Sequence, residues 1–283
     1  MSSRSDVLIS VNDLPDAVNA GAQLLDVRWR LGEPHGAGYQ RFLDGHLPPA
    51  RFLDLEQVLT GPTDDPTLGR HPLPDVQRLA DGLSAQGIDP AREIIVYDEP
   101  GSFAAGRAWW VLSWAGLKVR VLDGGVKAWL AADAFLRQGE PAPVEPTTVH
   151  LEVGHRPTLS ADELADFDGI VVDVRAAERY RGEVEPIDPK AGHIPGAINR
   201  PVGALWDENG LLPEPDALLD ALDLPAEVYA GTRPIAVYCG SGVSAAQSLL
   251  ALASLGVDAK LYPPSWSGWS ADPARPVATG PEA

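Results

Sequence analysis

Cys239 is the only cysteine in 283 residues, and its neighbours are those that a nucleophilic sulfur requires. The run Pro234 to Tyr238 ahead of it is short and apolar, with Ile235 and Val237 suiting a strand. Gly240, Ser241 and Gly242 follow at once, and then Val243, Ala246, Leu249, Leu250 and Ala253 recur at helical spacing until Gly256 ends the pattern. A strand, a tight glycine loop and a helix in that order aim loop N–H groups and a helix N-terminus at the residue in the mouth, which stabilises an anion there. A thiolate is such an anion. A cysteine that merely filled a core would need no glycines on both sides of the next serine, so Cys239 is read as a nucleophile. The hydroxyls of Ser241 and Ser244, on the same loop, can donate to an anionic substrate or to a leaving group.

Other chemistries find little support. A single cysteine excludes an internal disulfide and a cysteine-rich metal site, and the six histidines include no closely spaced HxxxH pair. No metal or organic cofactor is expected. The formal net charge of −18 and pI near 4.6 argue against nucleic acid or an anionic membrane as partner. An anionic substrate must then be attracted by local groups against the overall field. No apolar run is long enough to span a bilayer, and MSSRSDVLIS lacks a signal-peptide core, so a cytoplasmic protein is expected.

The elements that position this loop occur twice. LLDVR at Leu24 to Arg28 returns as VVDVR at Val171 to Arg175, and GHLPPA from Gly45 returns as GHIPGA from Gly192, both after 147 residues. IIVYD ending at Asp98 matches IAVYC ending at Cys239, and VLDGGVKAW matches LYPPSWSGW. Each half alternates short apolar strands with amphipathic helices, which predicts an α/β fold with a largely parallel sheet covered on both faces. Strands are predicted over 24–27, 94–97 and 119–122, then over 170–174, 235–238 and 259–262. Helices are predicted over 14–20, 76–86, 104–115, 160–165 and 215–222, and from Val243 toward Gly256. The tract from Arg137 to Thr148 holds Gly139, Pro141, Pro143 and Pro146 and reads as a linker. The tail after Pro273 is expected to pack loosely. His46 and His193 sit in matched Gly-His-apolar-Pro turns and are read as turn braces, and Asp26 and Asp173 as ties to neighbouring backbone. Trp266 and Trp269 are candidates for the pocket wall or the domain interface.

The loop CGSGVS, with Ser244 where threonine is commoner, resembles the active-site loop of the tandem rhodanese-type sulfurtransferases, in particular their 3-mercaptopyruvate sulfurtransferase branch, and the resemblance covers nearly the whole chain. It implies two rhodanese-like domains. Residues 1–136 would be catalytically silent, with Asp98 in the nucleophile's place, residues 137–148 the linker, and residues 149–283 the catalytic domain. It further implies a double displacement in which Cys239 takes a sulfane sulfur from 3-mercaptopyruvate or thiosulfate as a persulfide. The amides of Gly240, Ser241, Gly242, Val243 and Ser244 would cradle that persulfide, and the arginine matching Arg179 would bind the donor's carboxylate or sulfonate. A small thiol, cyanide or a reduced protein thiol such as thioredoxin would accept the sulfur. A second family arginine would fall near Ile187; it is missing here, and Lys190 is the substitute cation on offer. Thiosulfate-preferring members typically carry basic residues in the loop, as in CRKGVT, whereas this chain has Gly240 and Ser241, so 3-mercaptopyruvate is the expected donor. Two rivals are weighed against this reading. A cysteine-dependent phosphatase would need an arginine six positions after the cysteine, where Ala245 stands. A non-catalytic rhodanese-like binding or sulfur-carrier module would usually have lost the cysteine.

Overall fold

The computed structural model describes residues 3–282. Among the described residues, nine strands form two sheets: β1 (Leu8–Ile9), β2 (Gln23–Asp26), β3 (Arg51–Phe52), β4 (Ile94–Tyr97) and β5 (Val119–Leu122) in the first half, then β6 (Ile170–Asp173), β7 (Ala197–Asn199), β8 (Ile235–Tyr238) and β9 (Lys260–Leu261) in the second. The sheet orders are β1-β5-β4-β2-β3 and β7-β6-β8-β9, and every pairing is parallel. Matched strands take matched places, so the internal repeat is a repeat of topology. At the edge that β1 occupies in the first sheet, the second has only a parallel bridge from Thr158 to Leu261. All four residues of β4, β6 and β8 are buried, as strands covered on both faces must be.

The six expected strands are present. β9 is shorter than the 259–262 prediction, and β1, β3 and β7, of two or three residues, are too brief to carry a periodicity. The helices Ala104–Trp114 and Val243–Ser254 are each buried on nearly every side and pack on one another across the two halves. Gly106 makes that crossing possible, because a β-carbon there would fall 2.6 Å from Gln247 Cα. The consequence is one large core shared by both halves, flanked by a smaller cluster in each. Each half thus has a core of its own only in its outer layer.

Against expectation, the tail is anchored. Ala278 exchanges backbone hydrogen bonds with His193 at 2.8 and 3.0 Å, Pro276 O accepts from Trp269 Nε1, and Gly280 N donates to Arg181 O. Its repeat partner is the start of the 137–148 segment, where Arg137 bridges His46 in the same way. Backbone pairing supplies an order that a proline- and glycine-rich composition does not advertise. Among the described residues, no helix is long and apolar enough to cross a membrane.

Candidate active site

Cys239 follows directly on β8, and the helix Val243–Ser254 begins four residues later. Gly242 makes the turn, at φ +81, where a β-carbon would lie 2.6 Å from Pro263 O. Its N–H points at the sulfur, 3.1 Å from Sγ. The segment after β9 supports the loop from behind: Ser265 Oγ accepts from Cys239 N, Trp266 N donates to Cys239 O, and Ser267 N donates to Gly240 O. Ser265 Oγ itself lies 4.0 Å from Sγ. The thiol is only 1% exposed, at the floor of a cleft of about 580 Å³. Residues of both halves line that cleft, among them Trp29, Arg30, Arg70 and Phe103 from the first and Arg179, Val202 and Ser244 from the second.

Gly240, Ser241, Val243 and Ser244 border the cleft, whereas Gly242 is outside its lining and bonds the sulfur through its N–H. Among these loop amides, only that of Gly242 is hydrogen-bonded to Sγ. Ser241 is buried and its Oγ is 2.8 Å from His71 Nδ1. Burial, together with Arg107 and Arg70 nearby, lowers the His71 pKa to about 3, so the ring is neutral at physiological pH. Arg107, fully buried on the first half's central helix, donates to Gly242 O, Leu59 O, His71 O and Pro72 O. Desolvation lowers its pKa to about 10, which leaves it cationic, and among the described residues no carboxylate pairs with it.

Arg179 lies on a short helix, Ala177–Tyr180. It reaches the cleft, but its guanidinium is also bonded to Glu185 at 2.7 and 3.0 Å and to Asp188 at 3.1 Å. Asp188 binds Arg70 as well, and both guanidiniums crowd Gly240: a β-carbon there would sit 3.2 Å from Arg70 Nη2 and 3.4 Å from Arg179 Nη1. The second cation over the loop is therefore Arg70, supplied by the first half. Lys190 does not take that place, because its Nζ donates to Asp272 O and lies 3.5 Å from Arg275 O. Trp266 and Trp269 neither wall the cleft nor fill the interface. They belong to the second half's own cluster, where the Arg175 guanidinium lies 4.6 Å from the Trp266 ring centre. Asp26 and Asp173 each accept from the backbone N–H and the side chain of the arginine two residues on, and His46 and His193 each place Nδ1 2.8 Å from a backbone carbonyl.

Asp98 stands at the end of β4 as Cys239 stands at the end of β8. Its Oδ2 accepts from Ala105 N at the start of the helix Ala104–Trp114, so a carboxylate occupies the helix-terminus position there. Burial raises its pKa to about 7, against the pull of that hydrogen bond.

Comparison with known proteins agrees with this geometry. A model described as "Rhodanese-like domain" matches residues 10–132 and again residues 158–272. The chain belongs to the tandem rhodanese sulfurtransferase family. The sulfurtransferase is 44% identical to a Mycobacterium tuberculosis protein named "Putative thiosulfate sulfurtransferase SseB", over 99% of both chains. It is 41% identical to "Probable 3-mercaptopyruvate sulfurtransferase" of Pseudomonas aeruginosa, over 91% of this chain and 92% of that one. Its fold is similar to that of the 3-mercaptopyruvate sulfurtransferase SseA of Escherichia coli, with a TM-score of 0.78 at 32% identity, covering 92% of this chain and 98% of the other.

Arg70, His71, Arg107 and Ser265 escape a reading of local sequence. His71 lies 170 residues from the serine it touches, and nothing in GRHPLP marks it. The one available signal is that the two halves must meet somewhere near Cys239.

Proposed function

We propose that this sulfurtransferase moves sulfur from 3-mercaptopyruvate to a thiol or cyanide through a persulfide on Cys239. The observation that carries the reading is the Gly242 N–H, 3.1 Å from a sulfur at the floor of a cleft over which Arg70 and Arg179 project. The thiolate attacks the donor's sulfur, the carbon–sulfur bond breaks, and its electron pair passes to carbon as the enolate of pyruvate, which then takes a proton. Arg70 Nη2 and Arg179 Nη1, the guanidinium nitrogens that face Gly240, donate to the carboxylate. Ser241 borders the cleft, and with neutral His71 donating to it from Nδ1 its hydroxyl is free to donate to the carbonyl oxygen that gains charge. An acceptor thiolate or cyanide then attacks the outer sulfur and releases the Cys239 thiolate. A reduced protein thiol such as thioredoxin fits this last step as well as a small one.

Residues 1–136 serve as a silent scaffold that supplies Arg70, His71 and Arg107, with 137–148 as the linker and 149–283 as the catalytic domain. Thiosulfate is the second donor to consider, given the name of the Mycobacterium relative. The loop favours mercaptopyruvate, because Gly240 and Ser241 carry no cation of their own and the two guanidiniums over them, Arg70 and Arg179, are already shared with Asp188. Steady-state kinetics with cyanide as acceptor test this. A higher kcat/KM for 3-mercaptopyruvate is expected, and a higher value for thiosulfate overturns the preference.

A further inference from the structure

Three cations and three carboxylates meet beside the sulfur loop: Arg70, Arg175 and Arg179 with Asp173, Glu185 and Asp188. Their formal charges cancel. The two carboxylates nearest the cleft nevertheless differ in what they hold. Glu185 is tied into its own loop, where Oε1 accepts from the N–H groups of Ile187 and Asp188 as well as from Arg179. Asp188 has no such tie. Its side chain is 3% exposed and, among the described residues, its hydrogen-bond partners are Arg70 from the first half and Arg179 from the second. It stands behind the two guanidiniums, outside the lining of the cleft.

We propose that Asp188 determines donor specificity, by joining Arg70 to Arg179 and cancelling one of the two positive charges that face the cleft. It is a positioning residue that acts through the arginines. The proposal rests on the donor reading given above. With Asp188 ionised, a singly charged carboxylate finds free N–H groups on both guanidiniums but no excess positive charge within this cluster of six. A dianion needs more compensation than that and is disfavoured, because Coulomb attraction in a largely buried cleft scales with the charge on the ligand. Burial raises the Asp188 pKa and Arg70 opposes it, as befits a carboxylate held mainly by its two cations.

The test is Asp188→Asn, which preserves shape and removes the charge. In steady state the variant is expected to raise kcat/KM for thiosulfate relative to 3-mercaptopyruvate by on the order of tenfold, mainly through KM. Asp188→Glu should keep the wild-type ratio. An unchanged ratio in Asp188→Asn, or equal losses for both donors, overturns the proposal. Calorimetric titration of thiosulfate and of pyruvate into Cys239→Ser protein, with and without Asp188→Asn, separates this from failure of the sulfur-transfer reading. A shift of the binding ratio toward thiosulfate supports the role of Asp188 even if neither donor is turned over, and an unmoved ratio refutes it even if both are.

Discussion

His71 and Asp98 should make opposite and nearly cancelling contributions to the pH dependence of stability. The folded-state pKa of His71 is depressed from 6.5 to about 3. Its contribution is complete above pH 6.5 and is lost as pH falls toward 3, because the unfolded chain takes up a proton that the folded one refuses. The folded-state pKa of Asp98 is raised from 3.8 to about 7. Its effect has the other sign: the folded chain keeps a proton that the unfolded chain gives up, so stability rises as pH falls from 7 toward 3.8. At about 1.36 kcal/mol per pH unit, going from pH 7.5 to 4.5 removes roughly 2.7 kcal/mol through His71 and adds roughly 3.4 kcal/mol through Asp98. Asp98→Asn should therefore lose roughly 3 kcal/mol more than wild type over that interval, and His71→Asn should gain a similar amount. Urea unfolding at the two pH values measures both changes, and the shared core predicts a single transition. If the two variants track the wild type to within about 0.5 kcal/mol, the desolvation of both groups is refuted.

Two further variants probe the loops. Gly242→Ala should destabilise the protein by roughly 2 kcal/mol or more and abolish most turnover, because the residue needs positive φ and its β-carbon would press on Pro263 O; a wild-type melting temperature and rate would contradict this. Asp98→Cys should add a second labelled thiol without added activity per chain, since the neighbouring Glu99 is already paired with Arg30 and Arg41 and the small cavity there has no counterpart of the Arg70–Arg179 pair; doubled activity would refute the silent reading of that half.

The parts of this molecule visible in its sequence are those fixed by local rules. The strand ahead of Cys239, the glycine turn and the buried helix after it are adjacent in the chain, so spacing alone reveals them. The repeat exposes the two halves because LLDVR and VVDVR must end equivalent strands. What escaped is long-range. Arg70 and His71 touch groups of the other half, and Asp188, which binds Arg70, follows directly on Ile187, near which a family arginine is sought. The order of the tail comes from pairing with His193, a partner that composition does not reveal. Trp266 and Trp269, candidates for the pocket wall or the interface, pack on Arg175 and Tyr262 inside their own half, a choice of neighbour that residue type does not reveal.

The central claim is that Cys239 carries the sulfur, and intact-mass and peptide spectrometry after incubation with 3-mercaptopyruvate test it most directly. The account predicts a gain of about 32 Da on the peptide containing Cys239, removed by cyanide as thiocyanate and absent from Cys239→Ser. An unmodified Cys239 peptide from protein that is turning over donor, or turnover that survives in Cys239→Ser, would contradict it.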